Sequence, residues 1–84
     1  MVSVKWSSQA LLDLEKIDPT IRERILGKVT WFGENFTDIV PEKLHRELAR
    51  FYKLRVGDYR VIYSYSQNGV IIETVGHRRD VYTQ

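Results

Sequence analysis

The hydrophobic and polar positions first alternate and then repeat at helical spacing in the N-terminal half of the chain. Residues 2–6 (VSVKW) alternate apolar and polar side chains, which predicts a strand whose apolar face holds Val2, Val4 and Trp6. Residues 7–17 then show an apolar stripe at helical spacing, and Ser7 or Ser8 can serve as the N-cap. The chain is therefore expected to begin with a strand followed by a helix.

A second helix is predicted directly after the first. Asp18 suits an N-cap and Pro19 suits the first helical position, so this pair ends one helix and begins another. The apolar residues that follow recur at spacings of four, four, three and four: Ile21, Ile25, Val29, Phe32 and Phe36. Because the connection is so short, the two helices should form an antiparallel hairpin.

Strand-like patterns return in the C-terminal half. Residues 50–56, 59–66 and 70–76 are predicted strands, joined by turns at Gly57-Asp58 and Asn68-Gly69. The segment 37–49 (TDIVPEKLHRELA) is interpreted as a loop with a short helical turn, and 77–84 as a polar tail. The pattern predicts a single domain over residues 1–84 with the element order βααβββ.

Composition narrows the class of protein further. The chain has 84 residues, 43% hydrophobic and 29% charged, which is typical of one small globular domain. It has no cysteine, which excludes disulfides and thiolate metal sites, and it lacks an apolar run of membrane-spanning length. Residues 1–40 hold five Lys or Arg and six Asp or Glu, whereas residues 41–84 hold eight and five. We therefore predict a cytoplasmic protein whose positive charge lies in the sheet.

The first predicted hairpin places two arginines opposite each other. If Gly57-Asp58 is a two-residue turn, Arg55 faces Arg60 across the strand pair, and like charges in such positions are destabilising. Strand alternation assigns these two side chains and Lys53 to the face that the helices leave open. The tail should bring further polar groups to the same end of the sheet: His77, Arg78, Arg79 and Tyr82.

Two interpretations of this cationic face remain open. Arginines that converge with few acids nearby favour an anionic ligand, most simply a phosphate, and an aromatic ring or guanidinium can stack on an unpaired base. In the alternative, the two facing arginines splay apart and pair with Glu73, Asp58 or Asp80. The stripe of tyrosines on the helix-facing side is interpreted as packing.

Two segments of the C-terminal half resemble a known family. LRVGDYRVIY, followed by VGHRRDVY, is similar to the RelE-type toxins of bacterial toxin–antitoxin pairs, in the RelE/ParE superfamily. The resemblance implies an α+β, RelE-like (microbial ribonuclease-like) fold with an N-terminal helical hairpin on one face of a small, mainly antiparallel sheet. It also implies a small endoribonuclease (an mRNA interferase) that cleaves mRNA in the ribosomal A site.

The resemblance assigns roles to individual positions. Lys53 matches the basic residue that assists attack by the RNA 2′-hydroxyl, and Arg60 the arginine that stabilises the phosphate. Arg78 matches the arginine near the leaving group, and Tyr82 the tyrosine that orients the RNA. Four further residues are expected to contact RNA: Arg50, Arg55, His77 and Arg79. Phe51 stands where some members have a second lysine, and the tail is shorter than in members with a C-terminal helix.

The chemistry expected of this set is transesterification, which needs no metal or cofactor. This suits a sequence in which no His, Asp and Glu residues have the spacing of metal ligands. The identity of the general base stays open. His77 is the one candidate that ordinarily titrates near neutrality. Lys53 could act as a base only where neighbouring cations favour its neutral form.

The expected partners are a cognate antitoxin, mRNA and the ribosome, with operator DNA contacted only through the antitoxin complex. Two other functions remain as alternatives. The first is a ParE-like toxin that inhibits gyrase and does not cut RNA. The second is a non-catalytic module that binds RNA or antitoxin.

Overall fold

A computed structural model describes residues 2–44 and 50–81, and over these ranges it shows helices packed on a five-stranded mixed sheet. The strands are β1 (Val4–Trp6), β2 (Glu42–Lys43), β3 (Tyr52–Val56), β4 (Tyr59–Ser66) and β5 (Gly69–His77). The helices are α1 (Ser8–Glu15), α2 (Pro19–Glu34) and α3 (Arg78–Val81), with a 3-10 turn at Phe36–Asp38. The strand order is β1-β5-β4-β3-β2, and only the β1–β5 pair is parallel within these ranges. The predicted α+β class and mainly antiparallel sheet are confirmed.

The helical hairpin begins and turns at the predicted caps. Ser7, not Ser8, caps α1: its Oγ accepts a hydrogen bond from the Ala10 amide at 3.0 Å and donates one to the Glu73 carbonyl at 2.7 Å. The Asp18 carboxylate accepts a hydrogen bond from the Thr20 amide at 3.1 Å, and α2 begins at the following proline. Both caps satisfy amides at a helix N-terminus that have no intrahelical partner.

The hydrophobic core lies between this hairpin and one face of the sheet. From α2 the stripe of Ile25, Val29 and Phe32 is buried, as its period predicts. Phe32 packs edge-on against Tyr63 of β4, with ring centroids 4.8 Å apart. Both rings are almost completely buried, so this contact joins the longest helix to the centre of the sheet.

A polar contact holds α1 beside β5 beyond the point where β1 ends. Asp13 Oδ2 accepts hydrogen bonds from Thr74 Oγ1 at 2.6 Å and from the Val75 amide at 2.9 Å. Burial alone would raise the pKa of Asp13. Hydrogen bonds from Thr74, Val75 and Gln9 and the charge of Lys16 outweigh burial, so the pKa of Asp13 lies below its usual value. The carboxylate therefore accepts a hydrogen bond from the edge of β5 at Val75, beyond Ile72, where the pairing with β1 ends.

A one-residue irregularity in β5 changes which side chains face the helices. Tyr63 pairs with Ile72, but its neighbour Ile62 pairs with Thr74, so Glu73 is an extra residue in β5. A slip of one residue moves every later side chain to the other face of a sheet. As a result, Val75 enters the core and His77 lies on the same face as Tyr59.

Three local predictions need correction. The segment interpreted as a loop contains the short strand β2, and the segment interpreted as a tail begins with the last residue of β5 and then α3. Both elements are too short to show a period. The second hairpin turns at residues 67–68, because Ser66 pairs with Gly69, which adopts φ 116°. Residues 45–49 of the same loop lie outside the described residues.

Membrane insertion by a helix has no support in this fold. Over residues 2–44 and 50–81, every helix is too short or too polar to span a bilayer.

Candidate nucleic-acid interface

The predicted pairing of two arginines is confirmed. Arg55 of β3 lies directly opposite Arg60 of β4, and Val56 pairs with Tyr59 across the turn at residues 57–58. Gly57 adopts φ 58°, a conformation that side chains with a Cβ disfavour, so glycine allows the tight turn that sets this register.

The expectation that few acids lie near these cations is wrong, because β2 brings Glu42 opposite Lys53. Arg55 donates two hydrogen bonds to the Glu42 carboxylate, from Nη2 to Oε2 at 2.6 Å and from Nε to Oε1 at 3.1 Å. Lys53 Nζ lies 3.6 Å from the same Oε2. Hydrogen bonds from Arg55 lower the pKa of Glu42 most, burial opposes them, and the charges of Arg55 and Lys53 lower it further.

This contact decides between the two sequence-based interpretations for Arg55. Its side chain pairs with an acid, as in the alternative, and the acid that the structure shows against it is Glu42 of β2. The like charges of the arginine pair are therefore partly compensated within the sheet. Glu42 is the residue of this site that sequence reasoning missed, since only the pairing of β2 with β3 brings it there.

Arg60 is the most buried of the predicted site residues whose exposure the structure describes, with 8% of its surface exposed. Its Nη1 donates to the carbonyl oxygens of Gly57 and Tyr59, each at 2.9 Å. Its Nε is buried and has no hydrogen-bond partner among the described residues. Leaving a buried donor unpaired is costly, which is unusual for a group with only a structural role.

Helix α3 lies close to the sheet next to Arg60. Gly76 is the strand partner of Arg60, and a Cβ on Gly76 would lie 3.5 Å from the Cβ of Val81. That distance is an ordinary van der Waals contact, so α3 packs on the sheet at the strand partner of Arg60.

The turn that holds Arg60 also holds Arg78. The Arg78 amide donates to the Asp58 carbonyl at 2.8 Å, and Arg78 Nε lies 3.8 Å from an Asp58 carboxylate oxygen. Both side chains of that ion pair are largely exposed, so it contributes little to stability. A single two-residue turn thus positions two of the predicted site arginines at one end of the sheet.

His77 reaches this end of the sheet but not the cationic face. Its ring packs edge-on against Tyr59, with centroids 5.4 Å apart, and Tyr59 packs against the core. Nδ1 of His77 accepts a hydrogen bond from the Arg79 amide at 3.1 Å, at the start of α3. The tail thus brings His77 to the end of the sheet that holds Arg60, as predicted, but the extra residue at Glu73 places the ring on the face of Tyr59.

The other predicted contacts lie around the edge of the site. Arg79 is exposed on α3, and Arg50 is exposed before β3, with its guanidinium carbon 5.3 Å from the centre of the Phe51 ring. Tyr82 lies outside the described residues. Within the described ranges, no three His, Asp or Glu side chains converge as metal ligands would.

The tyrosines on the helix-facing side form packing contacts, as predicted. Tyr52 stacks near Tyr63 with ring centroids 5.7 Å apart and lies 5.0 Å from Tyr65. Burial, with smaller effects from Tyr65 and Tyr52, raises the pKa of Tyr63 far above its usual value. Tyr63 is also too buried to serve as a platform for a base.

Comparison with known proteins identifies the family. Residues 4–82 match the family described as the ParE toxin of type II toxin–antitoxin systems, parDE. The chain is a toxin of the RelE/ParE superfamily. The toxin is 35% identical over 88 residues to Toxin RelG of Mycobacterium tuberculosis, across 95% of this chain and 94% of RelG.

Solved structures support the same assignment. The toxin–antitoxin complex RelBE2 of M. tuberculosis includes a chain that matches with a TM-score of 0.79 at 29% identity, covering 92% of the toxin and 98% of that chain. The isolated RelE toxin of E. coli matches with a TM-score of 0.74 at 26% identity, covering 99% and 93%. The toxin therefore has the RelE fold.

Proposed function

We propose that the toxin is a metal-independent endoribonuclease, an mRNA interferase that cleaves mRNA in the ribosomal A site and so stops translation. The observation that carries this proposal is Arg60. This guanidinium is 8% exposed and donates to two carbonyl oxygens, and over residues 2–44 and 50–81 its buried Nε has no partner, an arrangement that costs folding energy. Such a group is suited to bind an anion that forms further bonds to it, and a phosphate matches its planar donors.

The reaction we propose is attack by the 2′-oxygen of the RNA on its neighbouring phosphate. The bond from phosphorus to the 5′-oxygen breaks, which leaves a 2′,3′-cyclic phosphate and a 5′-hydroxyl end. Arg60 would stabilise the charge on the non-bridging oxygens, and Arg78 the charge on the leaving oxygen. On the precedent of preorganised donors in other enzymes, losing one such group costs about 10²–10³-fold in rate.

The contacts of the remaining residues refine their proposed roles. Lys53 Nζ lies 3.6 Å from a Glu42 carboxylate oxygen, so we assign Lys53 a role as a cation beside the attacking oxygen. Arg50, Arg55 and Arg79 would bind the RNA backbone. Tyr82 would orient the RNA, as the family resemblance implies. His77 would support the start of α3 through its hydrogen bond to the Arg79 amide.

The proposed partners follow from the family. The matching structures include the RelBE2 toxin–antitoxin complex of M. tuberculosis and the RelB–RelE antitoxin–toxin complex of Methanococcus jannaschii. We propose that a cognate antitoxin neutralises this toxin in the cytoplasm, by laying an amphipathic helix and an acidic or extended segment over the cationic face and the helices. Operator DNA would be bound only through that complex.

The test is primer extension on a reporter mRNA in a cell-free translation reaction. We expect new 5′-hydroxyl ends at A-site codons, which disappear when ribosomes are omitted or when Arg60→Ala replaces the wild type. Arg60→Lys should also fail, because a lysine keeps the charge but loses the planar fork. Lys5→Ala on the outer strand β1 is the control and should cut normally. Normal cutting by Arg60→Ala would contradict the proposed site.

A gyrase-inhibiting toxin is the second candidate. The family description, which names ParE, and the compensation of Lys53 and Arg55 by Glu42 both favour it. Growth arrest without new mRNA ends, together with loss of DNA supercoiling by purified gyrase in the presence of the toxin, would establish this alternative in place of the nuclease.

A further inference from the structure

The Glu42 carboxylate occupies the donors of Arg55 that a phosphate would use. Arg55 presents Nε and Nη2 to the two carboxylate oxygens, at 3.1 and 2.6 Å. This paired arrangement is the one in which arginine binds phosphate oxygens. A phosphate and Glu42 therefore compete for the same side of the guanidinium.

The same carboxylate also reduces the charge available to a phosphate at the next cation. Lys53 Nζ lies 3.6 Å from Glu42 Oε2, and the lysine side chain is only 17% exposed. Among the described residues, the Glu42 carboxylate thus lies against two cations on the open face of β3. An RNA chain that approaches this part of the face therefore meets less positive charge than the two cations alone would present.

Glu42 is held weakly enough to be displaced. Its strand, β2, is two residues long and lies at the edge of the sheet. The side chains of Glu42 and Arg55 are 43% and 58% exposed, and exposed ion pairs contribute little free energy. A phosphate presented at high effective concentration can therefore replace the carboxylate, whereas a freely diffusing chain gains less from doing so.

We propose that Glu42 is a specificity residue: it competes with RNA phosphates for Arg55 and Lys53, weakens the binding of free RNA, and restricts cleavage to RNA that another body holds in place. This inference rests on the proposed function, in which that body is the ribosome. It assigns to Glu42 an electrostatic effect on substrate choice and no step in the reaction.

The test measures the binding of a fluorescent 2′-O-methyl RNA 12-mer, which lacks the attacking hydroxyl and cannot be cut. Fluorescence anisotropy at several salt concentrations gives the affinity and its salt dependence. We expect Glu42→Gln to bind about two- to fivefold more tightly than the wild type, the range for an exposed ion pair. The slope of log K against log salt should steepen by about 0.7 for each phosphate newly engaged on this single-stranded RNA.

Two further variants make the result specific. Glu23→Gln removes the same charge from an exposed position on α2 and should leave both the affinity and the slope close to wild type. Adding Arg55→Gln to Glu42→Gln should abolish most of the gain, because the released donors are then absent. When ribosomes are omitted from the cell-free reaction, Glu42→Gln should cut the naked RNA more than the wild type does.

Three outcomes would overturn the inference. They are no gain for Glu42→Gln, an equal gain for Glu23→Gln, and a gain that survives Arg55→Gln. The proposed nuclease function fails separately, if the wild type makes no cuts on translated mRNA. In that case, an Arg55-dependent gain in RNA affinity would still establish the competition by Glu42.

Discussion

The side chain of Asp13 offers a sharp test of how α1 is held to the sheet. Asp13→Asn keeps the shape of the side chain and one oxygen acceptor but removes the charge. In the wild type, the charged carboxylate accepts two short hydrogen bonds, from Thr74 Oγ1 at 2.6 Å and from the Val75 amide at 2.9 Å. A hydrogen bond to a charged group contributes about 1.5–3 kcal/mol and a neutral one about 0.5–1.5 kcal/mol, so each bond should weaken by about 1 kcal/mol.

The expected loss is therefore about 1–2 kcal/mol in the free energy of unfolding, after allowing for the cost of burying the carboxylate, which opposes the bonds. For a domain of this size, that loss corresponds to a fall in Tm of roughly 5–15 °C. The effect is a large share of the stability of a small domain, which is about 5–15 kcal/mol in total.

The stability difference between wild type and Asp13→Asn should depend on pH, because the pKa of Asp13 is lowered in the folded state. A carboxyl group whose pKa is lower in the folded state stabilises the fold above its unfolded value, near 3.9, and loses this contribution as the pH falls through the folded value. The difference in the free energy of unfolding between wild type and Asp13→Asn should therefore be largest near pH 7 and should shrink progressively below about pH 4.

Urea denaturation followed by the fluorescence of Trp6 and Trp31 measures this gap at each pH. Asp38→Asn, the same chemical change at an exposed position, is the control and should stay within about 0.5 kcal/mol of wild type. The reasoning is refuted if Asp13→Asn and Asp38→Asn are equally stable at pH 7, or if the Asp13→Asn gap persists unchanged at pH 2.5.

Two other substitutions test the strand ends, and each can be followed by thermal melts monitored by circular dichroism. Gly69→Ala should destabilise the toxin by at least about 2 kcal/mol, because Gly69 adopts φ 116° and a Cβ there would overlap the Ser3 carbonyl oxygen; a wild-type Tm would contradict this. Asp58→Asn should change stability by less than about 0.5 kcal/mol, because its pair with Arg78 is exposed and the Asp58 carbonyl still accepts the Arg78 amide. A larger loss would mean that the carboxylate holds α3 in place.

Much of the fold was predictable because its signals are local. A cap lies within three residues of the amide that it satisfies, and an apolar stripe shows its period within one helix. For the same reason the turn at Gly57 correctly predicted that Arg55 faces Arg60, since two turn residues determine the register of the strands beside them.

The predictions failed where one residue or one short element decides the outcome. The extra residue at Glu73 places His77 on the face of Tyr59, and nothing in the local pattern of β5 marks that residue. The strand β2 consists of only Glu42 and Lys43, so no alternation could be recognised in it.

The sequence by itself determined the order of most elements, the caps, the first hairpin register and the family resemblance of the segments around Arg60 and Arg78. Only the tertiary structure decided the charge balance of the site. It placed Glu42 against Arg55, although these residues are 13 positions apart, and it buried Arg60. Burial and ion pairing depend on which elements meet in space, and a long-range contact leaves no period in the chain that could predict it.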